Sequence, residues 1–238
     1  YITAEEGPKT YHPPKGIAGV RDWLRCWIEG YGGNPNTAIV APQLVHDPAR
    51  YEQAERWWQD RDRATNTKGK RVLIFPQVAW PTRAYPDSAF KWLAHRLMGA
   101  GYNPIVSVPT YLANHEWPWC FGGHSLEDMV WAIKCADLTI SVDTGPAHIA
   151  GTVGTKGLVL VGPSPYELFY GWYSSLEKVA SDLPCVGCNW DYANGNRSWC
   201  MSKRYEGDQG DVLGWEGCTA TKAISPYTVF GRAAAILD

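Results

Sequence analysis

The chain has 238 residues, of which 45% are hydrophobic, and a formal net charge of −2 from 22 Lys and Arg against 24 Asp and Glu. A charge so close to neutral argues against a dedicated nucleic-acid-binding protein, which usually carries a strong basic excess. No uninterrupted run of about 18 apolar residues predicts a membrane span, and no signal-peptide pattern is recognisable. We therefore expect a cytoplasmic protein with one large domain, or one domain plus a fragment.

The first 68 residues predict helices and irregular chain. Apolar residues recur at helical spacing in VRDWLRCWIEGYGG, residues 20–33, and glycines end that pattern. A second helix is predicted in DPARYEQAERWWQDRDRA, where Asp47 is the expected N-cap and Pro48 occupies the first turn. We interpret residues 1–68 as the remnant of an N-terminal domain with linker helices.

Strands alternate with helices after the polar segment NTKGK. Strands are predicted over 71–76, 103–109, 137–143 and 156–163, and helices over 86–101, 125–136 and 145–154. Ser125 with Asp128 three residues later resembles a capping box. The alternation favours βαβ units and a parallel sheet. We predict an α/β, Rossmann-like domain with helices on both faces of its sheet over residues 69–183, followed by a small Cys-rich module and a C-terminal helix over 184–238.

The segment ISVDTGPAHIAGT, residues 140–152, places an acid, a hydroxyl and an imidazole directly after a predicted buried strand. Ligands of open α/β sheets bind beyond the carboxyl ends of the strands. The helix expected to begin near Gly145 offers free N–H groups and a partial positive charge, which suit a phosphate. Asp143 would repel a phosphate, so a ribose or sugar hydroxyl or a backbone donor is its expected partner. The alternative is structural: Asp143 caps the helix and His148 packs.

A longer stretch, ISVDTGPAHIAGTVGTKGLVLVGPSPYE, resembles the signature of glycosyltransferase family 9, the heptosyltransferases, in which D-[ST]-G-x-x-H follows a buried strand and the next strand ends in Gly-Pro-[ST]. The segments VLIFPQVAWPTRAYPDSAFKWLAHRLMGAGYNPIV and HSLEDMVWAIKCADLTISVDTG look like the family's first strand and helix of the donor domain and its lead-in to the motif. The likeness covers about residues 40–238. It implies the C-terminal, donor-binding half of a GT-B fold, with the N-terminal acceptor domain largely missing.

The resemblance implies a glycosyltransferase that moves a heptose or hexose from a nucleotide-diphosphate sugar, ADP-heptose foremost, to a hydroxyl of an acceptor glycan or protein with inversion. The family's catalytic base lies in the missing region, so the base is unassigned here, and a partner chain or oligomer would supply that domain. One alternative is a non-catalytic nucleotide-sugar-binding or structural subunit of a larger assembly. Another is a sugar-nucleotide epimerase, which would form product without an acceptor.

By the resemblance, four motif residues would contact the ribose, the diphosphate and the transferred sugar. They are Asp143, Thr144, Gly145 and His148. Arg83 stands where the family usually has a Lys that faces the diphosphate, and a cation there would stabilise the charge of the leaving group. The alternative for Arg83 is an exposed, solubilising side chain. The other predicted lining residues follow strand ends: Pro76, Gln77, Gly162 and Ser164.

Four of the seven cysteines form the pattern C-x2-C-x11-C-x17-C. They are Cys185, Cys188, Cys200 and Cys218. The Cys-Val-Gly-Cys turn would hold two thiolates together, and a tetrahedral ion would cross-link a segment with little apolar core of its own. Zinc and iron both accept four thiolates, and the spacing resembles the four-Cys iron site of the autotransporter heptosyltransferase branch. The alternative is two disulfides, which require an oxidising compartment.

Overall fold

The computed structural model describes residues 47–65, 69–78, 83–107, 120–121, 125–188 and 218–238, together with Gly32, Asn34 and Asn36. The helix predicted within 20–33 and the ligand predicted at Cys200 lie outside the described residues. None of the helices in the described ranges combines the length and the apolar composition that a membrane-spanning helix needs.

Strands and helices alternate along the described chain. The strands are β1 (Arg71–Phe75), β2 (Asn103–Ser107), β3 (Cys120–Phe121), β4 (Leu138–Val142), β5 (Gly157–Leu160) and β6 (Leu176–Val179). The helices are α1 (Pro48–Thr65), α2 (Asp87–Gly99), α3 (Leu126–Lys134), α4 (Gly145–Val153), α5 (Tyr166–Tyr170), α6 (Thr219–Lys222) and α7 (Pro226–Leu237).

The six described strands form a parallel sheet in the order β3-β2-β1-β4-β5-β6. The chain order reverses between β1 and β4, which makes this pair the topological switch point of a doubly wound sheet. Phe75 is in register with Ser141 across these two strands. The residues that follow β1 and β4 therefore emerge side by side at the carboxyl edge of the sheet.

The two faces of the sheet bury separate apolar layers, since alternate side chains of a strand point to opposite faces. On β1, Val72 and Ile74 belong to one layer and pack with α2 and α7. Leu73 and Phe75 belong to the other layer and pack with α1, α3, α4 and α5. The predicted α/β class, with helices on both faces, is confirmed.

Helix α1 is fastened to the second of these layers. Asp47 Oδ1 accepts hydrogen bonds from the N–H groups of Ala49 and Arg50 at 3.0 and 3.2 Å, which confirms the predicted N-cap. Trp58 is fully buried, and its Nε1 donates to the Ala132 carbonyl at 3.1 Å. Residues 47–65 therefore share a core with the sheet, and the domain boundary at 68/69 stays a prediction.

The predicted elements between 71 and 163 all form, with ends one to three residues shorter. Ser125 caps α3 through a complete capping box with Asp128, as predicted. Gly154 ends α4 at a φ of +76°, a left-handed conformation that glycine adopts without steric cost. Four short elements were not predicted from the sequence: β3, α5, β6 and α6, which are two, five, four and four residues long.

Candidate functional site

The switch point brings Arg83 and Asp143 together. Asp143 follows β4, and Arg83 lies in the connection between β1 and α2. Arg83 Nε is 3.2 Å from Asp143 Oδ2, and Arg83 Nη1 donates to the Asp143 carbonyl at 3.3 Å. The Asp143 side chain is 7% exposed and that of Arg83 is 33% exposed. Arg83 is thus a paired, partly exposed cation at the carboxyl edge of the sheet, which differs from the solubilising alternative.

Asp143 has a second partner that the sequence analysis did not single out. Tyr170 is fully buried at the end of α5, and its hydroxyl donates to Asp143 Oδ1 at 2.5 Å. Burial first, and then the negative charge of Asp143, raise the pKa of the Tyr170 phenol far above its ordinary value. The hydroxyl therefore remains a neutral donor. The sequence signal for it was the aromatic pair at i and i+4 in YELFY, directly after the Gly-Pro-Ser-Pro turn.

His148, the fourth residue of α4, faces the same tyrosine. Its ring is stacked on Tyr170 with centroids 4.5 Å apart and 21° between the planes, and Tyr173 approaches it edge-on at 6.2 Å. Burial lowers the pKa of His148, the Arg83 charge lowers it further, and the Asp143 carboxylate opposes both. The imidazole is consequently neutral near pH 7.

The N-terminus of α4 lies at the same edge. Thr144, rather than Asp143, is its N-cap residue, and its side chain makes no capping hydrogen bond. Thr144 Oγ1 donates instead to the Val142 carbonyl at 3.3 Å and lies 3.1 Å from Ser141 Oγ. Gly145 is exposed, and a Cβ there would meet no atom of the described residues within 4 Å. The capping role considered for Asp143 is therefore not observed, and the first turn of α4 has open space beside it.

The other predicted lining residues occupy different environments. After β1, Pro76 is buried and Gln77 is exposed. Beyond β5, Ser164 is 1% exposed, and its Oγ has no hydrogen-bond partner among the described residues. A Cβ on Gly162 would lie 1.8 Å from Thr221 Oγ1, and the Gly162 carbonyl accepts from Gly187 N at 2.8 Å. Gly162 is thus packed against the chain itself, and its contact with a nucleotide sugar stays a prediction.

Three of the four late cysteines meet in one small apolar cluster. Cys185 and Cys218 are buried there with Ala220, and Cys188 packs against them. Within the described ranges, however, no group of three or more His, Cys, Asp or Glu side chains is arranged to hold a metal ion. The described thiols are therefore neighbours, but they do not by themselves form a ligand set.

Comparison with known proteins confirms the resemblance stated from the motifs. Residues 120–192 match the family profile of glycosyltransferase family 9 (heptosyltransferase). No curated protein matches the chain.

Several solved structures are similar in fold. The family 9 glycosyl transferase of Veillonella parvula DSM 2008 has a TM-score of 0.63 at 16% identity, over 95% of this chain and 62% of that one. ADP-heptose lps heptosyltransferase II of E. coli has a TM-score of 0.57 at 16% identity, over 82% and 53%. The iron-containing dodecameric glycosyltransferase TibC of enterotoxigenic E. coli H10407 has a TM-score of 0.52 at 18% identity, over 86% and 52%. The chain thus spans about half to three-fifths of each of these structures.

Proposed function

We propose that this chain, with its glycosyltransferase family 9 segment over residues 120–192, is the donor-binding half of a GT-B-type glycosyltransferase. It takes a heptose or hexose from a nucleotide-diphosphate sugar, ADP-heptose foremost, and passes it to an acceptor hydroxyl with inversion. One observation carries the proposal. The Asp143–His148 motif lies inside the matched segment, and Arg83 meets it at the carboxyl edge of a parallel sheet.

The diphosphate binds between Arg83 and the first turn of α4. Transfer of the sugar leaves negative charge on the departing diphosphate, and cations and oriented amides lower the energy of that state. Nε and Nη1 of the Arg83 guanidinium contact Asp143, and the side chain is one-third exposed. Its other N–H groups can therefore donate to a diphosphate. The free space next to Gly145 allows the phosphates to approach the amides closely.

Asp143 and His148 hold the nucleotide sugar itself. Asp143 Oδ2 faces Arg83 and accepts no hydrogen bond within the described residues, so it retains acceptor capacity for a ribose or sugar hydroxyl. His148 is neutral near pH 7 and can both donate and accept. Support for the donor identity comes from TibC, a structural neighbour whose structure is a complex with ADP-D-beta-D-heptose.

A non-catalytic, nucleotide-sugar-binding subunit is the second candidate. It is favoured by the contacts of Asp143, whose Oδ1 accepts a hydrogen bond from Tyr170 and whose Oδ2 is paired with the Arg83 guanidinium. The acid of the motif thus has binding contacts, and the catalytic base is unassigned. In this candidate, as in the first, a partner chain or oligomer contributes the acceptor-binding region.

A transfer assay separates the candidates. Purified chain is incubated with ADP-heptose, with and without a heptose-accepting glycan, and ADP release and glycan mass are followed. Acceptor-dependent ADP release with a mass gain of one sugar supports the transferase. Binding of ADP-heptose without turnover supports the subunit. Conversion of the donor sugar without an acceptor would support the epimerase alternative.

We further propose that Cys185, Cys188, Cys200 and Cys218 hold a structural zinc or iron ion. The gathering of three of these residues around Ala220 supports the idea, as does the chemistry of four thiolates. Such an ion would cross-link the segment and leave no open position for substrate, so no step of the transfer depends on it.

A further inference from the structure

Tyr170 contacts two residues of the proposed nucleotide-sugar site, although it is not itself one of the residues proposed to bind the nucleotide sugar. Its hydroxyl donates to Asp143 Oδ1, and its ring stacks on His148. One side chain thus contacts both the acid and the imidazole of the motif, and it uses Asp143 Oδ1 whereas Arg83 faces Oδ2. These contacts connect α5 to the start of α4.

Two other tyrosines of the chain, the buried Tyr85 and the partly buried Tyr166, show what an ordinary structural hydroxyl does. Tyr85 is 2% exposed, and its hydroxyl donates to the Ile224 carbonyl at 2.9 Å. The Tyr166 hydroxyl donates to the Leu176 carbonyl at 2.7 Å. Both satisfy a backbone acceptor, as buried tyrosines commonly do. The Tyr170 hydroxyl instead donates to the carboxylate of the motif. A hydrogen bond to a charged acceptor is both shorter and stronger than one to a neutral acceptor.

The position of Tyr170 is itself fixed. The residue has no exposed surface and lies in the apolar layer beneath the carboxyl edge. Tyr166, one turn earlier, stacks on it with centroids 5.6 Å apart and 27° between the planes. Because Tyr166 is held in turn by the Leu176 carbonyl, the phenol of Tyr170 has little freedom to follow a carboxylate that rotates away.

We propose that Tyr170 is the positioning residue of this site. Its hydroxyl fixes the rotamer of Asp143 so that Oδ2 is presented on the Arg83 side, and its ring fixes the plane of His148 beside the first turn of α4. The inference rests on the proposed function, because it assigns to Tyr170 the preorganisation of the groups that bind the nucleotide sugar. Preorganised groups bind more tightly, since less side-chain freedom is lost on association.

The test is Tyr170→Phe, which keeps the ring and removes only the hydroxyl. Affinity for ADP-heptose and for ADP is measured by calorimetry, with thermal unfolding alongside. We expect Tyr170→Phe to weaken binding of ADP-heptose about tenfold, which is what loss of a hydrogen bond to a charged group typically does. The matched control is Tyr102→Phe, which removes a hydroxyl from the distant Asp238 carboxylate. This variant should bind within about twofold of wild type, because the Tyr102 hydroxyl does not reach the motif.

A second readout follows the imidazole directly. In histidine-labelled protein, the ring-current shift of His148 should persist in Tyr170→Phe and fall in Tyr170→Leu, which removes the stacked ring and leaves the more distant, edge-on ring of Tyr173. Equal ADP-heptose affinity in wild type, Tyr170→Phe and Tyr102→Phe would overturn the inference while leaving the proposed function intact. If wild type bound neither ADP nor ADP-heptose, the proposed function would fail. Independently of the binding result, an unchanged His148 shift in Tyr170→Leu would refute the role assigned to the Tyr170 ring.

Discussion

At the scale of single residues, the site depends on the pairing of the buried Asp143 carboxylate with the Arg83 guanidinium. The Asp143 carboxylate is almost wholly buried, and a buried charge is costly unless it is paired and hydrogen-bonded. Arg83 supplies the pairing and Tyr170 the hydrogen bond. Arg83 is partly exposed, so the same guanidinium that stabilises Asp143 can also meet a diphosphate.

Removal of the guanidinium should therefore be felt in nucleotide binding. Arg83→Ala is expected to weaken ADP binding by about 2 kcal/mol, or roughly 30-fold in Kd, because a charge-assisted contact is lost. Arg232→Ala is the matched control, since Arg232 on α7 forms a half-exposed pair with Glu177 on β6, at 3.8 Å. Calorimetric titration with ADP checks both variants. An unchanged Kd in Arg83→Ala would remove Arg83 from the site.

His148 makes folding stability depend on pH. Its pKa is lowered in the folded state, mainly by burial, whereas the unfolded chain has the ordinary value near 6.5. As pH falls below about 6.5, the unfolded state takes up a proton that the folded state resists, so stability is lost. His148→Gln should flatten the fall in unfolding free energy between about pH 7 and 5.

The control is His95→Gln, which changes an exposed histidine on α2. Urea unfolding across that pH range measures the slope for wild type and both variants. If His148→Gln and His95→Gln kept the same slope as wild type, the burial of the His148 imidazole would not be what sets this pH dependence.

At the scale of elements, the sequence predicted the strands and helices that are long enough to show hydrophobic periodicity, and it did not predict the shortest ones. The strands and helices between 71 and 163 carry clear periodicity and caps, and each of them forms. β6 reads LEKV, with two polar residues in its middle, and α5 is a single turn between Pro165 and Gly171. Neither offers enough residues for a periodic signal. Tyr170 lies on α5, and the aromatic pair in YELFY alone did not show that this residue contacts the motif.

The contact of α6 with the end of β5 is a testable packing feature. Gly162→Ala places a Cβ 1.8 Å from Thr221 Oγ1, between two buried residues. We expect a loss of about 1–3 kcal/mol in unfolding free energy, as for other overpacked sites. Gly231→Ala on α7 meets nothing within 4 Å and should instead stabilise the protein slightly, because alanine is the better helix former. Urea unfolding of the two variants checks the contrast, and equal effects would contradict it.

The cysteine module gives a prediction at the same scale. Cys188→Ser should lower the metal content of purified protein from one equivalent and also lower its melting temperature, because thiolate ligands link metal binding to folding. Cys135→Ser, which changes a half-buried thiol behind α3, is the control and should retain full metal content. Elemental analysis for zinc and iron measures both. A full equivalent retained in Cys188→Ser would favour a disulfide or a free thiol.

At the scale of the whole molecule, the order of the motifs predicted the α/β fold and the family resemblance. Contacts between residues far apart in the sequence were found only in the structure. Arg83 and Asp143 are 60 residues apart, and Tyr170 is 27 residues beyond Asp143. Local pattern can place each of them at a strand end or on a helix. It cannot show that Arg83 turns toward Asp143, or that α5 folds back beneath α4. The resemblance named Arg83 as a diphosphate contact, and its role as a partner of Asp143 emerged only from the geometry.

The central claim is that a nucleoside diphosphate binds at the carboxyl edge of the sheet, between β1 and β4. A crystal structure of the chain grown with ADP tests it most directly. The account predicts diphosphate density within hydrogen-bond distance of the Arg83 guanidinium and of the first amides of α4, next to Gly145. The account would be contradicted if ADP bound elsewhere. It would also be contradicted if the protein's own side chains filled this place between β1 and β4 at saturating ADP.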